Sequence, residues 1–173
     1  FIGIYTSSIC LSTLGAYYSF PSLHDASHGS APDWLGHLSS LALLVPFPEF
    51  RKLHRLHHAH TNDATKDPDY ITHRNPLSWF FIPEVYVFHY LPGSMQGVMR
   101  YLCVVFGVIL YTCIYGLRAG IYLVVPSRLA FTALVVLLDV VPHVDRPTRP
   151  AQTTKDFYKK APWWFFVLTA GQC

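Results

Sequence analysis

Charged side chains are scarce in this sequence. Asp, Glu, Lys and Arg make up 13% of its 173 residues, whereas soluble domains average about 25%. Apolar residues make up 51% and aromatic residues 16%, which excludes a disordered chain or a charged solvating tail. A chain so poor in charge is expected to lie in lipid or to bury most of its surface.

Cysteine patterns typical of disulfide or metal-thiolate proteins are also missing. The four cysteines, Cys10, Cys103, Cys113 and Cys173, are scattered and form no C-x-x-C pair, which excludes a disulfide scaffold and a thiolate zinc site. No G-x-G-x-x-G segment is present to bind a dinucleotide. The formal net charge is only +3, and together with the apolar composition it argues against nucleic-acid binding.

Uncharged runs of membrane-spanning length are present. Residues 1–20 carry no charge and are long enough to cross a hydrocarbon core of about 30 Å as a helix. Residues 101–117 and 129–138 are expected to form a helical hairpin, with residues 120–128 in its turn or at the start of its second helix. Arg128 would lie at the membrane interface, where its long side chain can reach water. Buried core helices of a soluble protein are the alternative.

Two further apolar segments are interrupted. Residues 34–50 contain His37 and two prolines, and residues 77–91 are aromatic but broken by Pro83 and Glu84, so both are expected to lie along the membrane interface. Such an arrangement leaves all histidine clusters on one side of the membrane. Basic residues gather on that side, which is therefore predicted to be cytosolic or stromal. The chain is expected to form a single domain, residues 1–173.

Histidine is unusually abundant, with ten residues against ten Asp and Glu combined. His24 and His28 are four residues apart, so on a helix they share one face. His54, His57 and His58 also bracket one helical face. Buried imidazoles in lipid need partners, and five of them in two such clusters predict a metal site.

The residues around these histidines narrow the choice of metal. No H-E-x-x-H or Glu-x-x-His pair is present, which argues against a zinc protease and a carboxylate-bridged di-iron bundle. Imidazole ligands suit Fe, Cu, Zn or Ni, and the spacing does not choose among them. His60 lies off the shared face and is expected beside the site or at the surface. Carboxylates that could orient ligand imidazoles through hydrogen bonds are Asp25, Asp63, Asp67 and Asp69.

Four segments carry a resemblance to a known family. They are H-D-A-S-H-G at residues 24–29, H-R-L-H-H-A-H-T-N-D at 54–63, K-D-P-D-Y at 66–70 and D-V-V-P-H at 139–143. In this order they resemble the fatty acid desaturase superfamily. The first and third segments are most similar to those of membrane β-carotene hydroxylases and ketolases.

The resemblance implies an all-α, four-helix membrane bundle with a cytosolic di-iron centre, two Fe ions bound by histidines. The implied metal ligands are His24, His28, His54, His57, His58 and His143. The implied neighbours of these ligands are Asp25, His60, Asp67 and Asp139. The family has a third histidine box, usually after a Gly-Gln pair, and the chain stops at Gly171-Gln172-Cys173. We therefore expect a chain truncated at both ends, with an incomplete site.

Pro142 affects one pair of these residues. It lacks an N–H and disfavours the α conformation at Val141, so the helix is expected to end near Val141. Asp139 and His143 would then not need to share a face.

The implied activity is O2-dependent oxidation of lipid C–H bonds, with hydroxylation or ketolation of a carotenoid ring as the first prediction. A fatty-acyl lipid desaturase is the alternative, and a non-catalytic membrane metal binder or transporter is the alternative of another class. The chain lacks motifs for an electron-transfer cofactor, so an external donor such as a ferredoxin or a cytochrome is expected. Basic residues that could attract an acidic donor are Arg51, Lys52, Arg55, Lys155, Lys159 and Lys160. Ordinary positive-inside bias explains the same residues.

Overall fold

The structure, a computed structural model, describes residues 2–73, 75–82, 84–85, 94–143 and 160–169. All regular elements in these ranges are helical, which confirms the predicted all-α fold. The longer helices are α1 (Ile2–His28), α2 (Asp33–Leu43), α3 (Phe47–His60), α4 (Met95–Tyr115) and α5 (Leu117–Leu134). The shorter elements are 3-10 helices at Tyr70–His73 and Pro76–Trp79, a π-helix at Val135–Val140 with a last α turn at Val141–His143, and α6 (Trp163–Leu168).

Two helices are long and apolar enough to cross a membrane, Met95–Tyr115 and Leu117–Val140. Within the described ranges no other helix meets the same criteria. From residue 2 onward the predicted span at residues 1–20 forms a helix, and its crossing stays a prediction. The two apolar helices, most of whose residues are not covered by the rest of the described chain, support a membrane protein.

The predicted hairpin is present, but its turn lies earlier than expected. α4 ends at Tyr115, and Gly116 adopts φ 86° and ψ 164°. Residues other than glycine rarely adopt this backbone conformation. Residues 120–128 lie inside α5, so the prediction of a turn there was wrong and the alternative, the first part of the second helix, is confirmed. The chain reverses at Gly116 because this glycine permits the required backbone angles.

Arg128 has a charged partner within the protein. Its mostly covered side chain forms an ion pair with Glu84, which also accepts a hydrogen bond from the Tyr101 hydroxyl at 3.2 Å. A guanidinium removed from water is costly without a partner, and Glu84 provides one. The predicted place of Arg128 at the membrane interface stays a prediction.

α1 forms the centre of the bundle and packs against α2, α3 and α5. The core includes Phe20 and Leu23 of α1 and Phe50 of α3. The rings of Phe20 and Phe50 meet edge to face, with centroids 6.1 Å apart, an arrangement that aromatic rings favour. Each phenylalanine lies one helical turn before a candidate ligand, His24 or His54. Packing of these rings therefore aligns the two histidine-bearing segments.

Residues 34–50 do not form one continuous helix, which agrees with the predicted interruption. α2 ends at Leu43, Leu44 adopts a left-handed conformation, and α3 begins at Phe47. Phe47 packs against Gly36, where an added Cβ would meet its ring at 2.3 Å. This close contact folds α2 back against the start of α3.

α2 is apolar on its outward surface. Trp34, Leu38 and Leu41 are exposed, while Ser39 and Leu43 are among the buried residues of the opposite face. Its position along the membrane interface stays a prediction. In the other predicted interfacial segment, residues 77–91, residues 83 and 86–91 lie outside the described ranges, and its position along the membrane interface also stays a prediction.

The helical stretch that carries Asp139 was predicted to end near Val141 and extends at least two residues further, to His143, the last described residue of this segment. The turn before Pro142 is a π-helix, and the chain continues helically to His143. The N–H of Val141 bonds to the carbonyl of Val136, five residues earlier. A π-helix widens the backbone, and here it directly precedes the proline, whose ring would clash with the preceding turn of an α-helix.

Candidate metal centre

Four histidines from two helices meet at one edge of the bundle. His24 and His28 lie in the last two turns of α1, and His54 and His58 lie in the second half of α3. Each offers a ring nitrogen that lies within 4.8 Å of those of the other three. We call these residues the four-histidine group.

Distances within the four-histidine group fit one bound metal ion. The Nε2 atom of His54 lies 3.2 Å from Nε2 of His28 and 3.1 Å from Nε2 of His58. Metal–imidazole bonds are about 2.0–2.1 Å long, so two nitrogens on one tetrahedral ion are separated by about 3.4 Å. Nδ1 of His24 is buried and makes no hydrogen bond within the described structure. The donor atoms and their spacing therefore suit a first-row transition metal.

The surroundings favour neutral imidazoles in this group. Burial lowers the pKa of His54 well below its usual value, and the nearby His58 and His24 lower it further. Burial also lowers the pKa of His24, with a further contribution from His28, although Asp25 partly opposes both effects. Metals bind the neutral form of imidazole, so these pKa shifts favour the form of His54 and His24 that binds a cation.

A second group of possible ligands lies beside the first. It consists of His57, Asp69 and Asp139, all buried, with one ligand atom from each within 4.8 Å of the others. Nδ1 of His57 lies 3.6 Å from Oδ2 of Asp69, and its Nε2 lies 3.9 Å from Oδ1 of Asp139. We call these residues the His57 group.

The two groups correct the expectation that three α3 histidines converge on one position. His54 and His58 belong to the four-histidine group, whereas His57 faces the loop after α3 and the π-helix. The ring centroids of His57 and His58 are still only 5.6 Å apart. The residues therefore provide two adjacent places for cations instead of one.

Asp67 orients His57. Its Oδ1 lies 2.9 Å from Nδ1 of His57, and its carboxylate accepts backbone hydrogen bonds from Asn62 and Asp69. Burial lowers the pKa of His57, but the carboxylates of Asp67, Asp69 and Asp139 outweigh burial and raise this pKa to about 10. The contact predicted between Asp67 and a candidate ligand histidine is therefore present.

Three other predicted site residues, Asp25, His60 and His143, belong to neither group as far as the structure describes them. Oδ1 of Asp25 lies 3.6 Å from Nδ1 of His24, which is too long for a hydrogen bond. His60, at the end of α3, belongs to neither group within the part of the chain that the structure describes. The backbone of His143 ends the turn after the π-helix, but its side chain lies outside the described structure, so its role as a ligand stays a prediction.

Sequence reasoning missed two contacts of the site. The Thr72 hydroxyl donates a hydrogen bond to Oδ2 of Asp139, across 67 positions of sequence that carry no sign of the pairing. The ring of Phe50 stacks on His54, with centroids 5.2 Å apart and planes 13° apart. The four-residue spacing of Phe50 and His54, repeated at Phe20 and His24, is the signal that predicts such contacts on helices.

The sequence of this chain is similar to those of known proteins. Residues 4–173 match the family described as Fatty acid desaturase. The sn-1 acyl-lipid omega-3 desaturase (ferredoxin) of Synechocystis sp. is 31% identical over 100 residues, which cover 41% of this chain and 28% of that protein. The omega-3 fatty acid desaturase fat-1 of Caenorhabditis elegans is 29% identical over 125 residues, which cover 53% of this chain and 31% of that protein.

The matched segments thus span less than a third of each curated relative. No solved structure matches the chain significantly. The family match nevertheless extends over nearly the whole chain and includes both histidine-bearing helices. The chain therefore belongs to the fatty acid desaturase family, whose members are oxidoreductases.

Proposed function

We propose that this protein is a membrane-bound, iron-dependent desaturase that introduces a double bond into a fatty acyl chain of a lipid. The observation that carries the proposal is the four-histidine group, in which ring nitrogens from two helices lie within 4.8 Å of one another. Imidazole rings alone provide the ligands of this group. Because His28 and His58 are exposed, a metal bound there would be accessible from outside the bundle.

The two groups of ligands suit two Fe ions. The four-histidine group would hold one ion, and the His57 group, together with His143, would hold the second. Iron supplies O2-dependent oxidation of unactivated C–H bonds, which side chains alone cannot perform. The residues of this chain position the metal: Asp67 orients His57, and the stacked ring of Phe50 orients His54.

The proposed reaction requires an external reductant. Removal of two hydrogens from a CH2–CH2 unit releases two electrons, whereas reduction of O2 to two water molecules takes four electrons and four protons. A donor must therefore supply the other two electrons and the solvent two protons. We propose a ferredoxin or a cytochrome as this donor, and the name of the Synechocystis relative includes ferredoxin.

An acyl chain is the substrate favoured by the relatives. Both curated relatives are named as omega-3 desaturases of fatty acids or acyl lipids. The first prediction from the sequence, oxidation of a carotenoid ring, is supported by the resemblance of residues 24–29 and 66–70 but by none of the matched proteins. We therefore prefer the alternative, and the site is proposed to face the cytosol or stroma, where the donor is found.

The experiment is to express the full-length protein in a host that makes both unsaturated lipids and β-carotene. Fatty acids are measured by gas chromatography with mass spectrometry and carotenoids by liquid chromatography, and iron is measured per polypeptide. We expect about two irons per chain and a new acyl double bond that requires O2 and ferredoxin. His54→Gln is the matched inactive control, because it keeps side-chain volume but removes the imidazole.

Two results would contradict the proposal. Oxidised β-carotene with an unchanged acyl profile would restore the carotenoid prediction. Zinc or copper in place of iron, with no O2 consumption, would favour the metal binder or transporter.

A further inference from the structure

The C-terminal end of α1 is held by arginines of α3. α1 ends at His28, so the carbonyl groups of its last four residues have no partner within the helix. The carbonyl of Asp25 accepts a hydrogen bond from the N–H of Ser30 at 2.9 Å. The next two carbonyls, of Ala26 and Ser27, lie between the two histidines of α1 in the sequence, and that of Ala26 also accepts a hydrogen bond from the N–H of Gly29 at 3.2 Å. Both carbonyls accept hydrogen bonds from arginines of α3.

Arg55 binds the second of these carbonyls. Its Nε–H donates to the carbonyl of Ser27 with a distance of 2.7 Å. Arg55 directly follows His54 in the sequence, and Ser27 directly precedes His28. One hydrogen bond therefore connects the side chain of the residue next to His54 with the backbone of the residue next to His28.

Arg51 makes a second connection one turn earlier. Its Nη2 donates to the carbonyl of Ala26 at 3.1 Å, and its guanidinium forms an ion pair with both carboxylate oxygens of Asp33. The aromatic ring of Phe47 lies under the guanidinium, 4.4 Å from its central carbon. Arg51 therefore ties the end of α1 to the start of α2 and to α3.

These contacts fix the relative position of α1 and α3 along their axes. A slip of one residue moves a helical side chain by 1.5 Å along the axis and 100° around it. Metal sites accept deviations of only about 0.2 Å in ligand distance. Positive charge at a helix C-terminus is also favourable in itself, so both arginines stabilise the arrangement in which the imidazoles converge.

We propose that Arg51 and Arg55 are positioning residues that hold the last turn of α1 against α3, so that His24 and His28 meet His54 and His58 on one metal ion. The inference rests on the proposed metal site but assigns these two basic residues a role other than attraction of an electron donor. Neither arginine contacts the metal. Each acts through the backbone that carries two of the ligands.

The test uses the full-length protein in detergent micelles with its metal removed. Cobalt(II) chloride is added, and the ligand-field absorption of bound cobalt reports both affinity and ligand geometry. Removal of residues that orient metal ligands usually costs about 10- to 100-fold in affinity. We expect Arg55→Met and Arg51→Met each to weaken cobalt binding by about tenfold and to change the absorption spectrum, and Arg55→Lys to recover part of the loss.

Lys52→Met is the matched control, because Lys52 lies between the two arginines and is exposed. It should bind cobalt like the wild type, since it removes a charge from the same helix without touching α1. Asp33→Asn provides a mild variant if Arg51→Met does not fold, because it leaves α1 and α3 unchanged and removes only the carboxylate that orients Arg51. It should weaken cobalt binding by a smaller factor than either arginine variant.

The outcomes separate this inference from the proposed function. Wild-type affinity and spectrum in both arginine variants and in Asp33→Asn would overturn the positioning role while the metal site stands. Equal weakening in Lys52→Met would show that helix charge, not the carbonyl contacts, is responsible. A wild-type protein that binds neither cobalt nor iron would overturn the proposed metal site itself.

Discussion

The Nε2 atoms of His28 and His54 lie 3.2 Å apart, although the residues are 26 positions apart in the chain and belong to different helices. Imidazole nitrogens approach this closely when one donates a hydrogen bond to the other or when both face a shared cation. His58 places a third nitrogen 3.1 Å from the same His54 atom. A cation shared by these nitrogens, as proposed above, would engage all three at once.

Replacement of His54 is expected to remove the metal of the four-histidine group. His54→Gln takes away the nitrogen that lies closest to both His28 and His58, so the full-length protein should lose about half its iron and all measurable desaturation. Iron per polypeptide and the acyl profile are the measurements. His60→Gln is the control, because His60 lies on the same helix but in neither group. Full iron content in His54→Gln would contradict the assignment.

Loss of the Asp67 carboxylate is expected to destabilise the protein. Asp67→Asn removes the carboxylate charge closest to His57, so that only the more distant Asp69 and Asp139 stay beside it, and weakens two backbone contacts. Hydrogen bonds to charged groups contribute about 1.5–3 kcal/mol, so the free energy of unfolding in detergent should fall by that amount. Asp63→Asn, in the same loop but exposed to solvent, should cost less than half as much. Equal losses in the two variants would show that Asp67 has no special role.

The ion pair between Glu84 and Arg128 is expected to show strong coupling. Arg128→Met or Glu84→Gln alone leaves one charge without a partner at a largely buried place, whereas the double variant removes both charges. A double-mutant cycle of unfolding free energies should give a coupling of about 1–3 kcal/mol. Arg118→Met, at an exposed position of the same helix, should be close to neutral. Additive effects of the two single changes would contradict the pairing.

Gly116 and Gly107 should respond in opposite directions to replacement by alanine. Gly116 needs a positive φ at the hairpin turn, so Gly116→Ala should reduce the free energy of unfolding by about 1–3 kcal/mol. Gly107 lies within α4 with open space around it, so Gly107→Ala should leave stability unchanged or raise it by up to about 1 kcal/mol. Thermal unfolding followed by circular dichroism measures both. A neutral Gly116→Ala would show that the hairpin does not depend on this backbone conformation.

Helix content and the pairing of histidines within each helix were accessible from the sequence because both depend on local spacing. Four-residue separations place His24 with His28 and His54 with His58 whatever the rest of the chain does. The position of the hairpin turn was not accessible, since residues 120–128 contain a proline and a glycine that normally suggest a turn. α5 accepts both, and the reversal occurs at Gly116 instead.

The sequence by itself determined an apolar helical chain with histidine pairs of metal-binding type, because composition and period are local properties. Only the tertiary structure decided that His57 joins Asp69 and Asp139, that Arg128 pairs with Glu84, and that Arg51 and Arg55 hold α1. Each of these contacts joins distant segments, and each provides a partner for a charge removed from water or for a carbonyl at a helix end. Which partner it finds depends on the packing of the whole bundle.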